Sequence, residues 1–294
     1  MNPADRPRRL PPWMKRPLPA PAATARVRAT LSRLALHTVC EGAHCPNLPE
    51  CFACGTATFM ILGDTCTRSC RFCAIGGRGS LAPPRADEPT ALAQAAAELG
   101  LRHVVITSVT RDDLADGGAE HFARTIRAVR EALPAASVEV LTPDFAGDDR
   151  CVDAVLGAHP DVFNHNIETV ERLSASLRPQ AGYARSLAVL RRAATVGEGS
   201  GLFIKSGLML GLGEREEEIL ATLRDLLVAG CRVLTLGQYL APSPSHAPVE
   251  RFVEPDEFDR LAAAAREMGF AAVAAGPFVR SSYHAAQMHA QHRP

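Results

Sequence analysis

The sequence predicts an α/β protein organised as an incomplete barrel of six strand-helix units. From residue 56 onward, short apolar runs rich in β-branched residues alternate with longer amphipathic segments rich in Ala, Leu, Glu and Arg. Polar and glycine-rich motifs follow where the apolar runs end. With 294 residues, 47% of them hydrophobic, the chain is long enough to bury the core of such a domain.

The predicted strands are apolar runs in which Val, Ile, Phe and Thr are frequent, as is typical of strands. They are TFMIL at 58–62, HVVITSV at 103–109, VEVLT at 138–142, VFNHNI at 162–167, LFIKSGLM at 202–209 and VLTLGQYL at 233–240. The central runs are apolar almost throughout, which is typical of strands that are covered on both faces in a parallel sheet.

The predicted helices follow the strands and repeat apolar residues every three or four positions. They cover 89–99, 119–133, 149–156, 183–194, 216–229 and 255–268, and a further helix over 27–36 precedes the first strand. Such an alternation gives a parallel sheet with helices outside, either open and doubly wound or part of a TIM-like barrel. We expect the barrel form, an incomplete (β/α)6 TIM-like barrel over residues 56–275 with extensions at 1–55 and 276–294.

Charge and hydropathy argue against several classes of protein. Lys plus Arg and Asp plus Glu number 32 each, so no overall field favours nucleic acid or an anionic membrane. No apolar stretch is long enough for a transmembrane helix, and the first residues lack the apolar core of a signal peptide. We expect a cytoplasmic protein with no nucleic-acid or membrane partner, whose nine cysteines stay reduced for metal binding or catalysis.

A cysteine triad follows the first predicted strand. Cys66, Cys70 and Cys73 are spaced C-x3-C-x2-C. Three thiolates on a four-iron cluster leave one iron open, and an open metal position can bind a substrate. A zinc site is the main alternative, but it usually shows paired C-x2-C elements and four ligands. A ferredoxin-like electron carrier is a second alternative, and four cysteines are expected there.

This triad resembles that of the radical S-adenosylmethionine superfamily. The resemblance implies a [4Fe-4S] cluster held by Cys66, Cys70 and Cys73, with S-adenosylmethionine bound at the open iron. In that superfamily, the reduced cluster cleaves the cofactor and releases a 5′-deoxyadenosyl radical. The cofactor supplies the reactive group, and the protein positions it.

A second triad lies upstream, and a serine motif lies near the end of the chain. Cys40, Cys45 and Cys51 are spaced C-x4-C-x5-C, and RSSY at 280–283 contains Ser282. Together these motifs resemble the lipoyl synthase family, and the resemblance extends over nearly the whole chain. Further matches are GTATFMILG at 55–63, TSV at 107–109, RDD at 111–113, DGGA at 116–119, TPDF at 142–145, NHNIET at 164–169, KSGLM at 205–209 and GQYL at 237–240.

The resemblance implies a second, auxiliary [4Fe-4S] cluster held by Cys40, Cys45, Cys51 and Ser282, with the two extensions carrying it together. Serine oxygen is a harder and weaker partner for iron than thiolate, which suits a cluster that is consumed. The family is thought to use this cluster as the sulfur donor. Two sulfur atoms then enter at carbons 6 and 8 of a protein-bound octanoyl-lysine.

The resemblance also implies partners. The substrate is carried by octanoylated lipoyl domains, namely the E2 subunits of 2-oxoacid dehydrogenases and the glycine cleavage H protein. An electron donor such as ferredoxin or flavodoxin and an iron–sulfur carrier for cluster repair are expected. The alternative function is another two-cluster radical enzyme that transfers sulfur or methylthio groups.

Five residues are candidate contacts of S-adenosylmethionine. Asn166 and Glu168 end the fourth predicted strand, where they can hydrogen-bond the ribose or amino group, although capping the next helix is an equal alternative. Gly211 lies in a glycine-rich turn that can approach the cofactor or merely connect strand to helix. Phe72 and Gln238 lie within matched motifs and are assigned by the resemblance.

Other residues allow more than one interpretation. The charged run 111–113 can bind substrate, order its loop or face solvent. Lys205 lies in a strand that is otherwise apolar, so it needs a carboxylate partner from the protein or the substrate. Cys151 and Cys231 are expected to be small core residues. Cys54 lies beside the upstream triad without an assigned role.

Overall fold

The strands lie side by side in the order in which they occur in the chain. The computed structural model describes residues 9–15, 24–43, 45–53, 57–75 and 81–282. Within these ranges, one sheet of eight strands runs in the order β1 to β8. The strands are β1 (His37–Thr38), β2 (Thr58–Ile61), β3 (His103–Ser108), β4 (Ser137–Leu141), β5 (Val162–Asn164), β6 (Phe203–Leu210), β7 (Val233–Gln238) and β8 (Ala272–Gly276).

The sheet is an incomplete barrel rather than a doubly wound sheet. Strands β2 to β8 are all parallel, and each pairs with the next strand along the chain. A doubly wound sheet would reverse its strand order once, whereas sequential order with right-handed crossovers keeps every helix on the same outer side. Among the described residues no ladder joins β8 back to β1, so the barrel is open.

Helices occupy the connections and form the outer layer. They are α1 (Ala25–Arg33), α2 (Val39–Gly42), α3 (Leu48–Ala53), α4 (Glu88–Glu98), α5 (Ala119–Ala132), α6 (Asp149–Leu156), α7 (Glu171–Leu177), α8 (Tyr183–Val196), α9 (Glu216–Val228) and α10 (Pro255–Met268). Along the outside, α4 packs against α5, α5 against α6 and α6 against α8. No helix in the described part of the chain is both long and apolar enough to cross a membrane.

The N-terminal extension is attached to the barrel by a short antiparallel ladder. Strand β1 pairs with β2 through His37 opposite Met60 and Thr38 opposite Phe59. The hydroxyl oxygen of Thr38 then accepts a hydrogen bond from the backbone N–H of Glu41 at 3.3 Å and caps α2. The ladder therefore sets α2, which carries the first cysteine of the upstream triad, beside the edge of the barrel.

Side chains of β3, β4, β5 and β6 form a buried polar cluster. Lys205 Nζ lies 2.8 Å from Glu139 Oε1, and His103 Nε2 lies 3.3 Å from Glu139 Oε2. Asn164 donates to the same carboxylate at 3.3 Å. Burial by itself would raise the pKa of Glu139, but Lys205 and His103 lower it to about 2. The partner that Lys205 requires is thus a carboxylate of the protein.

The predicted fold class is confirmed, and the structure adds β1, β8, α2, α3 and α7, which were not predicted. All six predicted strands and six helices occur within a few residues of their predicted ends. No strong sequence signal predicts β8, because AVAAG contains a single β-branched residue. Strand β5 ends at Asn164 instead of residue 167, and beyond it the pairing with β6 resumes only as an isolated bridge between Glu168 and Leu208.

Candidate active site

One cavity opens at the carboxyl ends of the strands and contacts both cysteine triads. It has a volume of about 410 Å³. The lining includes Cys40, Cys45 and Cys51 from the upstream triad, Cys73 from the downstream triad, and Ser282. Cys66 and Cys70, the other two cysteines of the downstream triad, are not part of the lining. Residues separated by more than two hundred positions in the chain therefore share one chamber.

The downstream triad lies on the loop after β2, where the chain leaves the barrel in a strained turn. Leu62 and Gly63 both have positive φ values, 68° and 88°, and such strain in a non-glycine residue is common at functional sites. Burial raises the pKa of Cys73 to about 12, and the neighbouring thiols of Cys70 and Cys66 add to the rise. In the metal-free protein, this thiol is protonated, so metal binding must release its proton.

Cys70 lies between a cation and a carboxyl group. Burial raises the pKa of its thiol, the guanidinium of Arg178 opposes the rise, and the carboxyl of Glu168 adds to it. Arg178 itself is buried and donates to the backbone oxygen of Ile167 at 2.8 Å. Neither its neighbours nor its spacing in the sequence marked Arg178 as part of the site.

The upstream triad is organised by its own backbone. The N–H of Cys45 donates to the carbonyl of Cys40 at 3.0 Å, and the N–H of Cys51 donates to the carbonyl of Asn47 at 2.9 Å. Burial is the main reason that the pKa of Cys40 rises to about 11. His44 and Cys54, which flank these residues in the sequence, lie outside the described residues.

The C-terminal segment 277–282 crosses the mouth of the barrel and brings Ser282 to this cavity. Asn47, in the upstream triad, donates through Nδ2 to the carbonyl of Phe278 at 2.6 Å. Asn166, beyond β5, donates through Nδ2 to Ser281 Oγ at 2.7 Å. The segment also lies so close to β7 that a Cβ at Gly237 would overlap the carbonyl oxygen of Val279.

The cysteines are free, and they are not arranged around a single ion. All eight described cysteines are free thiols. No group of three His, Cys, Asp or Glu side chains in the described ranges converges closely enough to hold one metal ion. The free thiols are therefore available as ligands of a metal centre.

Comparisons with known proteins agree with this geometry. The radical SAM superfamily matches residues 60–226, and the N-terminal domain of lipoyl synthase of the radical SAM family matches residues 2–45. The chain is 51% identical to the lipoyl synthase of Chlorobaculum parvum, over 95% of this chain and 94% of that one. The lipoyl synthase of Thermus thermophilus is 52% identical, over 97% and 87%. The chain belongs to the lipoyl synthase family.

Two solved structures share the fold at low sequence identity. Methylornithine synthase (PylB) superposes with a TM-score of 0.53 and 15% identity, over 80% of this chain and 64% of that chain. The hydrogenase maturase HydG superposes with a TM-score of 0.56 and 13% identity, over 93% and 75%. These likenesses support the partial barrel and nothing beyond it.

Membership of the lipoyl synthase family within the radical SAM superfamily implies a [4Fe-4S] cluster and S-adenosylmethionine. The residues present fit these groups. Three free thiols lie on one loop, and beside them Asn166 presents a buried Oδ1 without a hydrogen-bond partner among the described residues. Glu168 is half-buried, and burial of its carboxyl group raises the pKa of that group, against opposing effects from Arg178 and Asn166.

Glycine keeps the space in front of Asn166 open. A Cβ at Gly207 would lie 2.8 Å from Asn166 Oδ1 and 2.7 Å from Thr235 Oγ1. Such distances are shorter than ordinary contacts, so a side chain here would displace the amide. The absence of a side chain at Gly207 thus leaves Asn166 and Thr235 in place as a polar cradle in the cavity wall.

The remaining predicted cofactor contacts are placed differently. Phe72 and Gln238 line the cavity, but the amide of Gln238 is already engaged with the backbone oxygens of Tyr239 and Arg251 and the N–H of Val253. Gly211 packs against the backbone of Arg251 and is not part of the lining. Contact with the cofactor stays a prediction for all five residues.

The charged run that follows β3 orders its loop. Arg111 forms a bidentate ion pair with Asp113, in which both hydrogen bonds are 2.8 Å long. It also donates a hydrogen bond to the carbonyl of Leu62 at 3.2 Å. Asp112 pairs with Arg68, which lies within the downstream triad. In the sequence, only the position of Arg68 between Cys66 and Cys70 indicates that the pair with Asp112 lies near the site.

Proposed function

We propose that this protein acts as a lipoyl synthase that inserts two sulfur atoms at carbons 6 and 8 of an octanoyl-lysine carried by another protein. The observation that carries the proposal is the shared cavity. It brings Cys73, which belongs to the loop that carries three cysteines, together with Cys40, Cys45, Cys51 and Ser282. A reaction that joins hydrogen abstraction to sulfur transfer needs both centres within reach of one substrate.

Cys66, Cys70 and Cys73 would hold the cluster of the radical SAM superfamily. The chemistry that this cluster and S-adenosylmethionine supply is hydrogen-atom abstraction from unactivated carbon. The chain positions the reactants and limits access of water. Asn166 and Glu168 would orient the polar groups of the cofactor, since both line the cavity next to Cys73.

Cys40, Cys45, Cys51 and Ser282 would hold the second cluster, which is consumed as the sulfur donor and is therefore a substrate. The hydrogen bonds that fix segment 277–282 support this assignment, because they bring Ser282 to the cavity of the upstream triad. A serine oxygen binds iron less strongly than a thiolate does. Its iron is accordingly the one that leaves first when the donor is dismantled.

The cavity suits an acyl chain. Apolar side chains dominate its wall, among them Val39, Leu141, Leu208, Met209 and Pro242. Burying the six methylene groups of an octanoyl chain contributes about 5 kcal/mol, at about 0.8 kcal/mol for each group. The chain would enter as the side chain of a lipoyl carrier domain, such as an E2 subunit or the glycine cleavage H protein.

The proposal includes further partners and a setting. A ferredoxin or flavodoxin would supply electrons, and an iron–sulfur carrier would rebuild the consumed cluster. The eight described cysteines are free thiols, which supports a reducing compartment such as the cytoplasm.

Anaerobic reconstitution with iron and sulfide, followed by turnover, tests the proposal. The reconstituted protein is incubated with an octanoyl-lysine peptide, S-adenosylmethionine and a reductant, and peptide mass is measured. We expect a product with two added sulfur atoms. Cys70→Ala should abolish 5′-deoxyadenosine formation, whereas Cys151→Ala, a buried cysteine of α6, should retain it. Cleaved cofactor beside unmodified peptide would refute the proposed substrate.

A further inference from the structure

The loop that carries the downstream triad contains a buried arginine. Arg68 lies midway between Cys66 and Cys70, and only 6% of its side chain is exposed. Arginine is almost never buried unless its charge is paired. Nothing in the chemistry proposed for the thiols requires a guanidinium at this position, so the contacts of Arg68 need their own explanation.

Two carboxylates from different strand ends bind this guanidinium. Nε and Nη2 of Arg68 donate to the two oxygens of Asp112 at 2.8 and 2.7 Å, which is the two-pronged geometry of a strong pair. Nη2 also lies 2.7 Å from Oδ1 of Asp144. Asp112 follows β3 and Asp144 follows β4, so one side chain joins the cysteine loop to two neighbouring strands.

The carboxylates are themselves held in place. Asp144 is fully buried, and its other oxygen lies 3.2 Å from Nη1 of Arg185 on α8. Asp144 also accepts from the N–H of Ala146 at 3.1 Å. Burial would favour the neutral form of Asp144, but the hydrogen bonds and charge of Arg68 lower its pKa, so the carboxylate stays ionised.

The loop backbone is tied at the same place. The N–H of Thr67 donates to the carbonyl of Thr110 at 3.0 Å, and Thr67 Oγ1 accepts from the N–H of Asp112 at 3.1 Å. The N–H of Arg68 lies 3.4 Å from Cys66 Sγ and donates to it. The anchored side chain thus fixes an amide that faces the first thiol of the triad.

The two arginines and two aspartates of this cluster have no net charge. Arg68 and Arg185 carry two positive charges, and Asp112 and Asp144 carry two negative charges. No charge of the four is left over to attract a ligand. The group is therefore suited to holding the loop and not to binding a substrate.

We propose that Arg68 is a positioning residue, which with Asp112 and Asp144 anchors the cysteine loop to β3 and β4 in its ligand geometry before the cluster is assembled. The inference rests on the proposed function only in taking Cys66, Cys70 and Cys73 as cluster ligands. A loop that is already ordered loses little conformational freedom when it binds metal, so iron uptake is favoured.

Arg68→Lys and Asp112→Asn test the anchor in full-length protein. Lysine keeps the charge but cannot form the two-pronged pair, and asparagine keeps the shape but removes the charge. Arg192→Lys is the matched control, because Arg192 forms the same two-pronged pair with Asp153, at 2.8 and 2.5 Å, on the outer helices. Melting temperature identifies any variant that loses the whole fold.

The first measurement is amide hydrogen exchange of residues 64–75 in metal-free protein. We expect about tenfold faster exchange in Arg68→Lys and Asp112→Asn, since losing one charged hydrogen bond changes a local equilibrium by about this factor. Exchange in the strands and in Arg192→Lys should match the unmodified protein. If Arg68→Lys does not fold, Asp112→Asn decides the test.

The second measurement is iron bound after reconstitution, in a background in which Cys40, Cys45 and Cys51 are replaced by alanine. About four irons per chain are expected for an intact loop, and at least half should be lost from the anchor variants. Wild-type exchange and iron content in both variants would overturn the proposal. Unmodified protein, with all its cysteines, that binds iron normally yet forms no sulfur-containing product would refute the proposed function and leave the anchor intact.

Discussion

Gly207→Ala tests whether the polar cradle at Asn166 binds S-adenosylmethionine. The added Cβ would lie 2.8 Å from Asn166 Oδ1 instead of the 3.4 Å of an ordinary contact, a shortfall of about 0.6 Å. Asn166 must therefore move, although its amide nitrogen is held by Ser281 Oγ at 2.7 Å and Glu168 Oε1 at 3.2 Å. Gly207 has no left-handed φ, so alanine introduces no backbone strain.

The expected effect is specific to the cofactor. A misplacement of 1 Å can cost about 100-fold in rate, so a displacement of about half that size should weaken cofactor binding or cleavage about tenfold. Equilibrium dialysis with reconstituted protein measures the affinity, and chromatography of 5′-deoxyadenosine measures the rate. Iron content should stay unchanged, because the three atoms nearest to the added Cβ belong to Thr235 and Asn166 and not to a cysteine.

Gly182→Ala is the matched control for this experiment. Gly182 has a φ of −77°, and the nearest side-chain atom to an added Cβ would be Cβ of Arg185 at 3.8 Å. It should bind and cleave the cofactor as the unmodified protein does. Unchanged affinity and rate in Gly207→Ala would show that Asn166 does not contact the cofactor through Oδ1.

Three further changes have defined outcomes. Ser282→Ala should retain 5′-deoxyadenosine formation but lose sulfur insertion, and full product formation would remove Ser282 from the donor site. Lys205→Met leaves the carboxylate of Glu139 buried without its lysine. This change should lower the free energy of unfolding, measured in urea, by about 3–5 kcal/mol. A loss below about 1 kcal/mol would contradict the pairing. Burial lowers the pKa of His165 from 6.5 to about 4, so between these values the unfolded chain binds more protons and stability rises with pH. Stability should be about 2 kcal/mol lower at pH 5 than at pH 7 through this group, and His165→Gln should remove that part of the pH dependence.

The repeated pattern of the barrel was predictable because it is local. The period of the apolar positions within about ten residues predicts each strand and helix. Strand β8 was not predicted, because its alanines show no such periodicity. It nevertheless joins the sheet through backbone pairing with β7. The two residue pairs of β1 are too few to show any period.

Site residues could be predicted from the sequence only where they form a motif with a characteristic spacing. The two cysteine triads are such patterns, and the likeness of RSSY to a known family pointed to Ser282. Contacts between distant segments leave no local trace, as with Asn47 and Phe278, which are 231 residues apart. The burial of Arg68 likewise depends on carboxylates that follow other strands, so its role emerged only from the three-dimensional structure.

The short ladder between β1 and β2 has a consequence for local stability. Its two residue pairs are far fewer than the six that β6 and β7 share. Segments with few backbone hydrogen bonds open at a free energy well below that of global unfolding. The attachment of the upstream extension therefore depends less on this ladder than on buried side chains, such as Val27 and Leu31, that belong to the same hydrophobic core as the barrel.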